Sequence, residues 1–298
     1  MRLCSFAAAD GPRPGVLVDD GTVLDLTEVA REHVPAAPST TLDWIAAGPG
    51  ELARLVERPG LDHATRPLAD LTLLAPLGRP PRNPICVGVN YREHITESEA
   101  VVGQIHVPDD PVYFTKDARS ICGPFDAIGV DPVLTSQLDW EVELAVVIGT
   151  AGRDIPRSSA LDHVFGYAVF NDVSARDLQL SSSQWWRGKS LEGSSPLGPY
   201  LVTRDEVPDP QELGLSCWVD GELKQQSTTA AMIHDVAAII ADLSRYLTLE
   251  PGDVISTGTP EGVGLARQPQ EWLTPGALLE SEITGLGRQA NRIVKAGE

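Results

Sequence analysis

Residues 139–149 read Asp-Trp-Glu-Val-Glu-Leu-Ala-Val-Val-Ile-Gly. Trp140, Val142, Leu144 and Val146 alternate with Glu141 and Glu143, the two-residue period of a half-buried β-strand whose other face carries both carboxylates. From Leu144 to Ile148 every position is apolar, which places the strand deep in a sheet rather than at a wet edge. At a rise of about 3.4 Å per residue the two glutamates start about 7 Å apart. They can converge on one divalent cation, and they repel each other without one. Downstream, Gly166–Asp172 predicts a second strand that runs out at Asp172 and delivers a third oxygen ligand at its end. With no cysteine nearby and only His163 close in sequence, this set favours Mg²⁺, Mn²⁺ or Ca²⁺ over Zn²⁺. Mutual repulsion further predicts that replacing any one of the three leaves the protein folded.

The remaining composition suits a soluble enzyme. A chain of 298 residues, 42% hydrophobic, can bury one large core and a smaller satellite. No run of about 18 apolar residues exists, so no membrane span is expected. Residues 1–10 turn polar too early for a signal-peptide core. Cys4, Cys86, Cys122 and Cys217 are far apart, which argues against a disulfide framework and makes a reducing cytoplasm the expected compartment. A net charge of −19 disfavours nucleic acid and anionic membranes as partners. Gly188-Lys-Ser190 is no Walker A loop, because Ser183 stands where its first glycine would be. Gly258-Thr-Pro-Glu-Gly-Val-Gly264 lacks the dinucleotide fingerprint and reads as a turn-forming loop.

The chain divides into a compact N-terminal cap domain over 1–75, a linker over 76–84 with four prolines, and a larger body over 85–298. In the first part, Gly15–Leu26 predicts a hairpin around Asp20-Gly21, and Leu42–Val56 has helical spacing. In the body short strands dominate. Asp220-Gly221 marks another hairpin, and Met232–Leu247 is the one convincing amphipathic helix. The fold class is therefore mixed and mostly β.

After the linker comes Val87-Gly-Val-Asn-Tyr-Arg-Glu-His94-Ile-Thr-Glu97. A helical turn starting near Tyr91 would put His94 and Glu97 at i and i+3, where the carboxylate orients the imidazole as a general base. His33, His63, His106, His163 and His234 lack such company and are expected to be structural. The segment from Arg92 to Asp110 has few large apolar anchors after Ile95, and it predicts a lid that is mobile over an empty site.

Taken in order, these motifs resemble the fumarylacetoacetate hydrolase family over most of residues 84–294. The resemblance rests on Val87–His94, Phe114-Thr-Lys116, Leu138–Leu144, Asn171-Asp-Val-Ser-Ala-Arg-Asp177, Gly188-Lys-Ser190, Pro196-Leu-Gly-Pro199 and Thr257–Gly264. It implies a partly open β-roll or barrel with a small α/β N-terminal cap, and a homodimer. It also implies that Glu141, Glu143 and Asp172 hold Mg²⁺ or Mn²⁺. His94, Glu97 and Lys189 would act on the substrate, and Arg176, Gln179 and Thr259 would bind it.

The reaction so implied is hydrolytic C–C cleavage of an acylpyruvate-like 2-oxo acid. Enolate charge would be stabilised by the cation and Lys189, and His94 would activate water. Decarboxylation of an oxaloacetate-like acid, or keto–enol isomerisation, would use the same enolate trap. Leu191-Glu-Gly-Ser194 departs from the family's usual Phe-Asp-x-Phe, and a remodelled apolar wall near Lys189 is expected. A non-catalytic member would have little reason to keep so many charges together.

Overall fold

The computed structural model describes residues 1–33, 38–104 and 109–297. Strands outweigh helices, and neither large sheet closes on itself. The main sheet runs in the order 65–67, 22–25, 11–19, 2–8, 201–203, 164–171, 142–148, 254–256, 85–88, 112–115, with Leu73–Leu74 pairing off the path onto Arg2–Ala8. A second sheet follows the order 222–228, 214–219, 278–283, 287–295, 128–130.

Val142–Ile148 lies at the centre of the main sheet, antiparallel to both Val164–Asn171 and Val254–Ser256. Every residue in it is buried, and its two faces enter different cores. Val142, Leu144, Val146 and Ile148 pack with Leu215, Cys217, Leu279 and Ile283 of the second sheet. Ala145 and Val147 pack with Phe165, Phe170 and the N-terminal Leu3, Val16, Trp44 and Ile45. Hence the apolar run: the strand has no wet face, and Glu141 and Glu143 are buried with it.

The N-terminal strands join this same sheet, with Arg2 and Leu3 paired to Val202 and Leu201. The hairpin expected around Asp20-Gly21 forms between Gly11–Asp19 and Thr22–Asp25, after an earlier one between Arg2–Ala8 and Gly11–Asp19. The helix expected over 42–56 is instead two, Thr41–Ala47 and Pro49–Val56. Gly48 breaks it with a φ of 87°, and Pro49 opens the next helix, where its missing N–H costs nothing. The body's main helix is Val236–Tyr246, shorter than expected because Asp235 caps its start by accepting from the Ala238 N–H. No described helix is long and apolar enough to cross a membrane.

A buried carboxylate centre and its family

Two neighbouring sheet-borne segments deliver the three carboxylates. Glu143 lies on Val142–Ile148, Glu141 just before it, and Asp172 just past Val164–Asn171. One main-chain bond extends the pairing beyond the assigned strand ends, the Asp172 N–H donating to Glu141 O at 2.9 Å, and the Glu141 N–H donates to the Asn171 side chain, Oδ1 at 3.0 Å. One carboxylate oxygen from each acid lies within 4.8 Å of the others.

Cations surround two of the three acids. Lys189 Nζ donates to Glu141 Oε2 and, at 2.8 Å, to Asp172 Oδ2. Lys116 Nζ, fully buried, donates to Asp172 Oδ1 at 2.6 Å. Arg176 Nη2 donates to Glu141 Oε1 at 2.6 Å, and its Nε donates to Asp139 Oδ2 at 2.8 Å. Glu143 is different: it accepts from Ser256 Oγ at 2.5 Å and from the Gly258 N–H at 2.9 Å. Burial pushes Glu141 up, but Arg176 and Lys189 outweigh it and hold this acid well below the usual carboxylate range. Burial and then repulsion from Asp172 and Glu141 push Glu143 well above that range. Lys189 is shifted up, because Asp172 and Glu141 overcome its desolvation.

Charge counting makes the asymmetry plain. Four buried carboxylates, at 139, 141, 143 and 172, face three cations, at 116, 176 and 189. Full ionisation leaves one negative charge in excess, and it falls on Glu143. A divalent cation would offset it, and all-oxygen donors suit a hard ion. Glu141, Glu143 and Asp172 therefore fit such an ion and could hold it. The expectation that all three are mutual liabilities needs correction: Glu141 and Asp172 are salt-bridged anchors, and only Glu143 lacks a cation of its own.

His94 sits on the helix Arg92–Val102, with Nδ1 3.0 Å from Glu97 Oε1. Glu97 also accepts from the Gly262 N–H at 2.8 Å and the Val263 N–H at 3.4 Å, which fastens the helix to the 258–264 loop. An ionised carboxylate can only accept, so Nδ1 donates to it, and in the neutral imidazole this leaves the Nε2 lone pair free for a proton. This half of the expected lid is seated in the structure, and residues 105–108, including His106, lie outside the described residues. Glu97→Ala should raise amide hydrogen exchange across 92–102 at least tenfold in the ligand-free protein, since the helix buries few apolar side chains. Unchanged protection would show that other contacts hold it.

A cavity of about 170 Å³ is lined by His94, Glu141, Glu143, Asp172, Arg176, Gln179, Lys189 and Thr259. Glu97 stands behind His94, and the cavity's apolar walls come from Val87, Val89, Phe114, Leu180, Trp185 and Leu265. Gly188 allows Lys189 to reach the centre, because a Cβ there would meet Ala175 O and Gln179 N at 2.5 Å. Arg176 spends a third donor on Gln179 Oε1 at 2.9 Å, leaving two of its five N–H groups for a ligand. Thr259 Oγ1 donates to Val142 O at 3.0 Å and accepts from Gln225 Nε2 at 2.8 Å, so its proton is already engaged. Leu191–Ser194 does not line the cavity; Leu191 packs against the main core.

Lys116, Asp139 and Gln225 escaped the reading of single motifs. Their partners lie 56, 37 and 34 residues away along the chain.

The fumarylacetoacetate (FAA) hydrolase C-terminal family model matches residues 83–294. The chain is 40% identical over 301 residues to a mitochondrial oxaloacetate tautomerase of Xenopus laevis, covering 99% of this chain and 90% of that protein. Among solved structures, a fumarylacetoacetate hydrolase of Exiguobacterium antarcticum has 41% identity and a TM-score of 0.82, with 99% of each chain covered. A probable 2-hydroxyhepta-2,4-diene-1,7-dioate isomerase of Mycobacterium abscessus has 32% identity and a TM-score of 0.80 over the whole of both chains. Match and geometry agree: this chain is an enzyme of the fumarylacetoacetate hydrolase family.

Proposed function

We propose that the protein catalyses keto–enol tautomerisation of a short 2-oxo dicarboxylic acid of the oxaloacetate kind, with Mg²⁺ or Mn²⁺ held by Glu141, Glu143 and Asp172. This moves the emphasis from C–C hydrolysis to the isomerisation that the same enolate trap allows. The observation that carries it is one free imidazole nitrogen above a buried carboxylate centre in a cavity of about 170 Å³. That volume lies below the roughly 300–1,000 Å³ of drug-sized pockets and suits a four-carbon acid better than a long acyl chain. Names of relatives support the same reading, since one is an oxaloacetate tautomerase and another a probable dienedioate isomerase.

Enolisation needs one base and a place for negative charge. His94 Nε2 takes a proton from C3, Glu97 stabilises the resulting imidazolium, and the imidazolium then gives its proton to the oxygen of the 2-oxo group, which restores the neutral base. Lys189 has one N–H left after Glu141 and Asp172, and Arg176 has two, so both offer fixed positive charge to the enolate oxygen and the carboxylates. A bound cation would add Lewis-acid polarisation of the 2-oxo group. No attacking water is required.

With oxaloacetate and Mg²⁺, enol absorbance should relax far faster than in buffer, and deuterium should enter C3 without matching pyruvate release. Pyruvate formed as fast as the exchange would make decarboxylation the activity. Acylpyruvate cleavage outrunning tautomerisation would restore the hydrolase. The proposal also takes the protein to be a homodimer, which light scattering checks.

A further inference from the structure

We infer that Trp185 is the specificity wall that limits the length of the substrate's chain beyond C3; this rests on the enolisation reading above. Beside the catalytic cavity lies a larger groove of about 580 Å³, lined by Ile85, Tyr113, Trp186, Leu243, Tyr246 and Leu247 among others. Phe114 and Trp185 line both spaces and so form the partition between them.

The two sides of that partition are held differently. Phe114 is on the strand Val112–Thr115, and the Lys189 ammonium sits 5.0 Å from its ring centroid. Trp185 meets Phe114 edge to face, with centroids 5.2 Å apart, and reaches over Gly88. A Cβ at position 88 would come within 2.7 Å of Trp185 Cζ3, so the glycine is what lets the indole close down. Trp185 itself precedes the short helix Trp186–Lys189 and is only half buried. Its indole is therefore the removable part of the wall, while Phe114 is fixed by strand and charge.

The chemistry on either side gives the prediction its direction. Inside are the charges that grip a 2-oxo acid; outside is an aromatic and aliphatic surface suited to an alkyl chain. With the indole in place, a substituent beyond a few atoms has no apolar space to enter on this side. Without it, each methylene can leave water for the groove, worth roughly fourfold in kcat/KM.

The test uses the Mg²⁺-loaded full-length protein and a series of aliphatic 2-oxo acids from 2-oxobutanoate to 2-oxooctanoate, read by deuterium entry at C3. In the wild type kcat/KM should fall with length. In Trp185→Ala the ratio of the eight-carbon to the four-carbon acid should rise by about two orders of magnitude, with Trp185→Leu in between. Trp186→Ala, which alters only the outer groove, should leave the wild-type ratio in place. Circular dichroism melts establish that each variant is folded, and Trp185→Leu carries the test if the alanine variant is not. An unchanged ratio in a folded Trp185 variant overturns the inference, as does a wild type indifferent to length. Absence of exchange with oxaloacetate and with every acid of the series in the wild type would strike the enolisation reading instead.

Discussion

Asp172→Ala should be the most damaging single replacement in the centre, lowering the stability of the metal-free protein by about 3–5 kcal/mol and abolishing turnover. Asp172 is fully buried and takes Lys116 on one oxygen and Lys189 on the other, at 2.6 and 2.8 Å. Its removal strands a lysine that has no exposure at all and one main-chain acceptor left, Val173 O at 3.0 Å. Glu143→Gln is the informative contrast. A glutamine keeps an oxygen for Ser256 and Gly258 and removes the uncompensated charge, so stability in EDTA should stay within about 1 kcal/mol of the wild type or improve. With Mg²⁺ the order reverses. Wild type should gain about 2.7 kcal/mol at a hundredfold excess over Kd, and Glu143→Gln should gain little. Denaturant unfolding of the three proteins, with and without Mg²⁺, decides this. Equal losses for Asp172→Ala and Glu143→Gln in EDTA would mean that the lysines do not anchor the centre.

That contrast marks where the sequence stopped being readable. Period-two alternation located Glu141 and Glu143, and a strand's end located Asp172, because these signals are local. The cations that decide which acid bears the strain come from elsewhere. Lys116 precedes Asp172 by 56 residues and meets it only because Ile85–Gly88 brings its neighbouring strand into the same sheet. Asp139 looked like one more residue of the strand, yet it accepts the Gly264 and Leu265 N–H groups and Arg176 Nε together. Those bonds tie the guanidinium to the loop that also receives Glu97. Thr259 shows the same limit: a hydroxyl in a glycine-rich loop could face a ligand, and only the fold reveals that its proton is spent on Val142 O. Of the fold, the mostly β class followed from short apolar runs between turns. Pairing of the N-terminal strands with Leu201–Thr203 is a contact across some 200 residues, and no local period encodes it.

His94→Ala should lower the rate of oxaloacetate tautomerisation by about 10²–10⁴-fold, the usual worth of a positioned general base, while leaving Mg²⁺ affinity and stability close to wild type. The reason for the separation is spatial. His94 lines the cavity and pairs with Glu97 Oε1, whereas Glu97 holds the 258–264 loop through the Gly262 N–H with its other oxygen. Losing the imidazole thus removes the proton carrier without unfastening the helix or disturbing the three carboxylates. Glu97→Gln should fall between: an amide can still accept from Nδ1, yet it no longer stabilises the imidazolium formed during transfer. Added imidazole should restore part of the His94→Ala rate, since the vacated space opens on the cavity, and should do nothing for Glu97→Gln. A His94→Ala rate within tenfold of wild type would show that the proton travels by another route, with Lys189, whose ammonium also lines the cavity, as the next residue to replace.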